Sequence, residues 1–189
     1  MTSESTPPSD ETLIESLRQG DTTATDELTR RYWSPLHRFC ASYLGDDALA
    51  EDVVQETFSK IATTTELPTG SARPWLYKVA RNRCLDILRR HQRSPTYNRA
   101  IRTGFDAAQS TAGPHTRVAR EERAELIRQI IAQMPPEYRE VLMLKHYDGF
   151  SREEMAQTLG VTETAVKGRL VRASEFLREQ LQGLSGTDS

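Results

Sequence analysis

Residues 151–179 of this 189-residue chain read SREEMAQTLGVTETAVKGRLVRASEFLRE, and they predict the fold of its second half. Ser151 and Glu154 have the spacing of a capping box, which opens a helix by satisfying two of its first backbone N–H groups. Gly160 supplies a turn after this short helix, and Thr162 can cap a second one. Two short helices joined in this way predict a helix-turn-helix.

The second of these helices is predicted to have two distinct faces. One stripe is apolar and repeats at spacings of three and four residues, which favours burial: Val166, Leu170, Ala173 and Leu177. The residues left at the outer face or its edge are Thr164, Lys167, Gly168, Val171 and Arg172. A DNA major groove admits such a helix, where Lys and Arg read guanine and a small apolar side chain meets a thymine methyl. An ordinary helical hairpin with a solvated basic face is the alternative.

The remaining periodic segments also have the helical repeat, and no alternating run is long enough to predict a strand. We therefore predict an all-α chain of two small helical domains joined by a flexible linker. The first domain, residues 10–91, is expected to be a four-helix bundle. Residues 92–116 have few large apolar side chains and predict the linker, because such a segment cannot stabilise a core. The second domain covers 117–181, and residues 1–9 and 182–189 are expected to be disordered.

Composition limits the classes of function that fit the chain. No run reaches the roughly 18 consecutive apolar residues of a membrane-spanning helix, and the start MTSESTPPSDE lacks the features of a signal peptide. We therefore expect a cytoplasmic protein without membrane insertion. Cys40 and Cys84 have no partners at metal-site spacing and are expected to be buried thiols. No metal or other cofactor is expected, and no nucleophile and base are arranged as in an enzyme.

The charge is distributed unevenly, although the net charge is only −2. Acids outnumber bases from Met1 to Glu66, whereas residues 73–102 are strongly basic and contain Asp86 as their single acid. Such asymmetry indicates two different partner surfaces on one chain.

The acidic part is densest in five residues with helical spacing, which are Asp47, Glu51, Asp52, Gln55 and Glu56. A solvated acidic helix face is one interpretation. Paired carboxylates also serve metals or acid/base catalysis, although no His or Cys lies beside them in the sequence.

The basic part centres on a helix that begins near Trp75 and groups four polar residues opposite its apolar face: Lys78, Arg81, Asn82 and Arg89. Together with Trp75, Tyr77 and the short loop Thr63 to Ser71, this stripe has the parts of a single-stranded nucleic-acid site. A solvated basic helix is the alternative, and the two aromatic residues can equally belong to the core. Arg83 falls near the apolar face, where the sequence assigns it no role.

Three stretches, in this order and spacing, resemble the extracytoplasmic-function sigma factors of bacterial RNA polymerase. They are GDDALAEDVVQETFSKI, PWLYKVARNRCLDILRR and MPPEYREVLMLKHYDGFSREEMAQTLGVTETAVKGRLVRASEFL. Each is only moderately specific by itself, but together they cover both predicted domains. The resemblance implies sigma region two in the first domain and sigma region four in the second.

The resemblance also implies a role for each candidate surface. Asp47, Glu51, Asp52, Gln55 and Glu56 would dock on the β′ clamp helices of core polymerase. Trp75, Lys78, Arg81, Asn82 and Arg89 would melt and hold the minus-ten element, with an unstacked base captured by the preceding loop. Thr164, Lys167, Gly168, Val171 and Arg172 would read the minus-thirty-five element.

The partners implied are core polymerase, including its β flap, promoter DNA and an anti-sigma factor, and polymerase would supply the catalysis. Two other classes of function stay open from the residues alone. One is a helix-turn-helix regulator that is not a polymerase subunit, for which the stretch PWLYKVARNRCLDILRR would be unnecessary. The other is a helical metalloenzyme built on the acidic stretch.

Overall fold

The computed structural model describes residues 7–64, 66–92, 126, 127, 129–131 and 133–185, and this part of the chain is helical with short connections. The chain divides into two compact units, Met1–Tyr97 and Asn98–Ser189. The prediction of an all-α chain with two small helical domains is confirmed. Within the described ranges, no helix is long and apolar enough to cross a membrane. The predicted linker beyond Gln92 and the predicted disordered N-terminus up to residue 6 lie outside the described residues.

The first unit contains four helices. They are α1 (Asp10–Arg18), α2 (Thr23–Leu44), α3 (Asp47–Thr63) and α4 (Ala72–Gln92). Helix α2 packs against each of the other three, and α4 also packs against α1 and α3. This is the bundle that the helical repeats predict.

The turn between α2 and α3 follows from two adjacent residues. Gly45 ends α2 in the left-handed conformation at φ 63°, which glycine adopts without steric cost, and its N–H donates to the Ala41 carbonyl at 2.8 Å. Asp46 then caps α3, because its side chain accepts from the Leu49 N–H at 3.0 Å. The acidic helix therefore starts at a fixed point at the end of α2.

Both cysteines lie in the core of this unit, so the expectation of buried thiols is confirmed. A hydrogen bond between the side chains of Cys40 on α2 and Cys84 on α4, together with burial, raises the pKa of the Cys40 thiol well above its usual value. A thiol with a raised pKa stays protonated and is a poor nucleophile. The pair therefore acts as a packing contact between two helices.

Asp10 is a buried carboxylate that joins three parts of the first unit. It accepts hydrogen bonds from Arg31 Nη1 at 2.7 Å, the Tyr32 hydroxyl at 2.6 Å and the Ser71 hydroxyl at 3.1 Å. Burial, and then the hydrogen bond to Asp10, raise the pKa of Tyr32, so its hydroxyl remains a donor at neutral pH. Asp10 thus ties α1 to α2 and to the residue before α4.

Asp10→Ala is expected to lower the free energy of unfolding by about 3 kcal/mol, because it leaves three donors without their acceptor in a buried place. Urea unfolding followed by circular dichroism measures the change. Asp26→Ala is the matched control, since Asp26 is exposed on α2, and it should cost no more than about 0.5 kcal/mol. An equal loss in both variants would mean that Asp10 has no special structural role.

The second unit contains α5 (Pro136–His146), α6 (Arg152–Leu159) and α7 (Glu163–Ser185). Residues 126, 127, 129–131 and 133 are also helical, and 117–125 lie outside the described residues. Helix α7 packs against both α5 and α6. The core of this unit is apolar and includes Leu144, Phe150, Met155, Val166 and Ala173.

Helix α7 extends to Ser185, beyond the predicted end of the second domain at residue 181. The polar composition from residue 182 on predicts a disordered tail. Adding a residue to an existing helix costs little, and one glycine such as Gly183 costs only about 1 kcal/mol relative to alanine. Polar composition therefore does not end a helix here, and residues 186–189 lie outside the described residues.

Candidate functional site

The acidic face of the first unit lies along α3. All five residues predicted there are exposed, and they are Asp47, Glu51, Asp52, Gln55 and Glu56. The opposite side of α3 is buried through Val53, Val54 and Phe58. Gln55 Nε2 donates to Glu51 Oε1 at 3.5 Å along the same face. Burial of one side of α3 therefore leaves an acidic stripe on the other.

Glu56, at the edge of this stripe, is engaged by a second helix. Arg83 Nε on α4 donates to Glu56 Oε2 at 2.6 Å. No role for Arg83 can be predicted from the sequence, because its partner is 27 residues away and no local spacing signals the contact. The ion pair links the acidic helix to the basic helix within one unit.

The basic face of the first unit lies along α4. Lys78, Asn82 and Arg89 are exposed there, and Trp75 and Arg81 are partly exposed. Arg89 Nη1 donates to Asp86 Oδ1 at 3.1 Å. The stripe predicted from the sequence therefore follows one side of the helix, with Trp75 near its start.

The opposite face of α4 is buried and includes one of the two aromatic residues. Tyr77 is fully buried, with its ring 4.9 Å from that of Phe39, so it belongs to the core. Leu76, Ala80 and Cys84 are also buried on this face, and Leu88 is partly buried. Of the two aromatic residues that the sequence left open, only Trp75 retains an accessible surface.

Leu67, Pro68 and Ser71 in the loop between α3 and α4 are bonded to residues of α1. Arg18 Nη2 donates to the Pro68 carbonyl and to the Leu67 carbonyl, the latter at 3.4 Å. At the other end of the loop, Ser71 donates to Asp10. Neither α1 residue was singled out from the sequence.

The helix-turn-helix of the second unit forms as its capping residues predict. Ser151 Oγ accepts from the Glu154 N–H at 3.1 Å, and Glu154 Oε2 accepts from the Ser151 N–H at 2.7 Å. Gly160 ends α6 at φ 66°, in the left-handed region that favours glycine. Thr162 Oγ1 then accepts from the Ala165 N–H at 3.2 Å at the start of α7. The capping box and both turn residues are confirmed.

The outer face of α7 exposes all five residues predicted to read DNA, which are Thr164, Lys167, Gly168, Val171 and Arg172. Val166 and Ala173 are buried, while Leu170 and Leu177 are partly buried. Val171 is 49% exposed and is one of the few large apolar side chains of the described residues that face solvent to this extent. An exposed apolar side chain between two cations is the combination that a thymine methyl next to guanines would require.

The second unit also has an apolar groove of about 570 Å³ that the sequence did not indicate. Its lining includes Ile127, Leu142, Met143, Tyr147 and Leu177. Tyr147 is 43% exposed. The groove suits an apolar partner segment and lies among helices other than α6.

Among the residues that the structure describes, no group of three or more His, Cys, Asp or Glu side chains is placed to hold a metal ion. The first unit has an acidic face on α3 and a basic face on the neighbouring helix α4.

Two protein families match the chain in sequence. Sigma-70 region 2 matches residues 28–94, and Sigma-70 region 4 matches residues 124–177. The first match falls within unit one and the second within unit two.

Curated relatives match over most of the chain. The ECF RNA polymerase sigma factor SigL of Mycobacterium tuberculosis is 35% identical over 159 residues, which is 80% of this chain and 85% of the relative. The ECF RNA polymerase sigma factor SigM of Bacillus subtilis is 30% identical over 154 residues, which is 81% of this chain and 92% of the relative.

Solved structures share the fold. CnrH, in complex with the cytosolic domain of CnrY, superposes with a TM-score of 0.66 at 24% identity and covers 95% of this chain and 99% of that chain. The sigma factor RpoE, in complex with the anti-sigma factor NepR from Bartonella quintana, gives a TM-score of 0.65 at 22% identity over 83% of this chain and 96% of that chain.

Proposed function

This chain belongs to the sigma-70 family, in its extracytoplasmic-function group, and we propose from that membership that it binds core RNA polymerase and directs it to specific promoters. The observation that carries the proposal is the order of the two family matches, one on each compact unit. A regulator that only binds duplex operators needs the helix-turn-helix unit alone. The presence of region 2 favours a polymerase subunit.

We assign the minus-thirty-five element to the outer face of α7. The exposure of Lys167, Val171 and Arg172 on a helix-turn-helix supports the assignment, since such a helix enters the major groove. Arg and Lys would contact guanine or phosphate there, and Val171 a thymine methyl. Thr164 and Gly168 complete this surface.

We assign the minus-ten element to the basic face of α4. Lys78, Arg81, Asn82 and Arg89 would follow the backbone of the opened strand, and Trp75 would stack on a base. The loop before α4 would receive an unstacked base, whose extraction costs a few kcal/mol of stacking free energy. The partial exposure of Trp75 supports this role.

We assign the acidic stripe of α3 to the β′ clamp helices of polymerase. Exposed acids accelerate encounter with a basic partner and fix its orientation. The apolar groove of the second unit would accept the β flap, since its lining fits an apolar segment. An anti-sigma factor is a further expected partner, as for the RpoE structure that shares this fold.

In this proposal the chain is a transcription initiation factor that performs no covalent chemistry of its own and needs no cofactor. Polymerase makes the RNA, and the chain selects and opens the promoter. It would work in the cytoplasm, where polymerase and chromosome are found.

The experiment that tests this function is in-vitro transcription with purified bacterial core polymerase on a genomic fragment library. Transcript starts are sequenced with and without the chain. We expect new starts that share two spaced upstream motifs. Sequence-specific duplex binding without new starts would instead identify the chain as a regulator that is not a polymerase subunit.

Gly168→Ala is expected to change fold stability and promoter binding in opposite directions. A Cβ at Gly168 would meet no atom within 4 Å, so alanine should stabilise the helix by about 0.5–1 kcal/mol. If the helix backbone approaches DNA at Gly168, the added methyl group should weaken binding to the minus-thirty-five duplex. Thermal unfolding and fluorescence anisotropy measure the two effects.

Ser174→Ala is the control for Gly168→Ala, because Ser174 is exposed on α7 outside the assigned DNA surface. It should leave DNA binding unchanged. Binding of the Gly168→Ala variant at the wild-type affinity would exclude a close approach of DNA to this residue.

A further inference from the structure

Helix α1 holds the loop between α3 and α4 at two separate points. Arg18, at the end of α1, donates from Nη2 to the carbonyls of Leu67 and Pro68. Asp10, at the start of α1, accepts from Ser71, the last residue before α4. Two anchors a few residues apart restrict the conformations of a short loop, since each one closes part of it.

The first anchor is itself held in place. Arg18 Nη1 donates to Glu15 Oε2 at 3.2 Å, and Gln19 Nε2 donates to Glu15 Oε1, also at 3.2 Å. The guanidinium is thus oriented by one carboxylate while its other nitrogen reaches the loop. A planar group with several donors in fixed directions suits this task better than a lysine.

The second anchor is buried and shared with α2. Asp10 also accepts from Arg31 and Tyr32, so the carboxylate that binds Ser71 cannot rotate without losing those contacts. Among the described residues of the loop, Glu66 and Thr69 are exposed, and they lie close to or between the two anchors. The anchors therefore define where these side chains are presented.

We infer that Arg18 and Asp10 of α1 are positioning residues for the loop between α3 and α4. This loop discriminates between minus-ten bases only while the two residues hold its conformation. The inference rests on the proposed function, because it takes the loop as the receiver of the unstacked base. A preorganised loop binds its base without an ordering cost. A loop released from Arg18 adopts several shapes and accepts different bases more equally.

The test uses holoenzyme assembled from core polymerase and the full chain. The probes are fluorescent single-stranded oligonucleotides with the non-template minus-ten sequence found by mapping transcript starts, with all four bases placed at each position in turn. The measured quantity is the ratio of dissociation constants between the worst and the best base at the most selective position. Arg18→Ala is expected to reduce this ratio about fivefold.

Three further variants test whether the effect of Arg18→Ala comes from its contact with the loop. Arg30→Ala is the matched control, because Arg30 also pairs with the glutamate three residues before it but belongs to α2 and contacts no loop residue in the described bonds. It should keep the wild-type ratio. Arg18→Lys should restore part of the discrimination, and Glu15→Gln, which weakens the support of Arg18, should reduce the ratio by a smaller factor than Arg18→Ala.

A merely structural role of Arg18 would lower core binding and the unfolding midpoint as well as the ratio, so both are measured for each variant. Equal ratios for Arg18→Ala and Arg30→Ala would overturn the inference, as would a wild-type holoenzyme that starts transcription at specific promoters but shows no base preference on the oligonucleotides. The proposed function survives both of these results. It fails separately if the wild-type chain produces no new starts.

Discussion

Glu51→Arg and Asp52→Arg, introduced together, are expected to weaken binding of the chain to core RNA polymerase by roughly 10- to 100-fold. The two acids are exposed on α3, whose opposite side is buried in the first unit. Reversing them sets cations against the basic partner surface that the proposal assigns, which slows association and costs several kcal/mol where like charges meet. Glu56 is left unchanged, because Arg83 already binds it and its loss would also disturb α4. Titration of labelled chain with core polymerase measures the affinity.

The control for this double variant is Glu11→Arg with Asp26→Arg. Glu11 and Asp26 are exposed on α1 and α2 of the same unit, and replacing both by arginine changes the net charge by the same amount. They should reduce affinity little, and both double variants should unfold at similar denaturant concentrations. Co-purification of the Glu51 and Asp52 variant with core at the wild-type level would remove α3 from the polymerase interface.

Arg172→Ala and Lys167→Ala, tested separately, are expected to weaken recognition of the minus-thirty-five element by about 1–3 kcal/mol wherever the residue contacts a base. Both side chains are exposed on the outer face of α7. A base contact should lose discrimination at one base pair. A phosphate contact should instead weaken binding to all sequences and reduce its dependence on salt. Competition between duplexes substituted at single base pairs separates these outcomes.

Arg178→Ala is the matched control for these variants, because Arg178 is exposed on the same helix but lines the apolar groove. Its effect on the minus-thirty-five duplex should be small. If Arg172→Ala and Lys167→Ala both retain full promoter activity, the outer face of α7 does not read the element.

Features that depend on neighbouring residues could be predicted from the sequence. Each local feature of the helix-turn-helix involves residues close in the chain and can therefore be recognised in the sequence. These features are the capping box of Ser151 and Glu154, the turn at Gly160 and the cap at Thr162. The exposure of the acidic stripe on α3 follows in the same way from helical spacing. These local rules account for the helix-turn-helix and for the faces of α3 and α7.

Features that depend on distant residues could not be predicted. Arg18 meets Pro68 across 50 residues, and Arg83 meets Glu56 across 27. Neither spacing produces a periodic signal in the sequence. The contacts of α1 with the loop and the ion pair between α3 and α4 are therefore seen only in the structure. Tyr77 illustrates the same limit, since only its contact with Phe39 assigns it to the core.

Permanganate footprinting of unpaired thymines measures whether the chain makes polymerase open specific promoters. A promoter found by start mapping is treated with core alone, the chain alone and both together. We predict reactive thymines across the minus-ten region only when both are present. Protection of the duplex by the chain alone, with no reactive thymine in any mixture, would mean that the chain does not open promoters with polymerase.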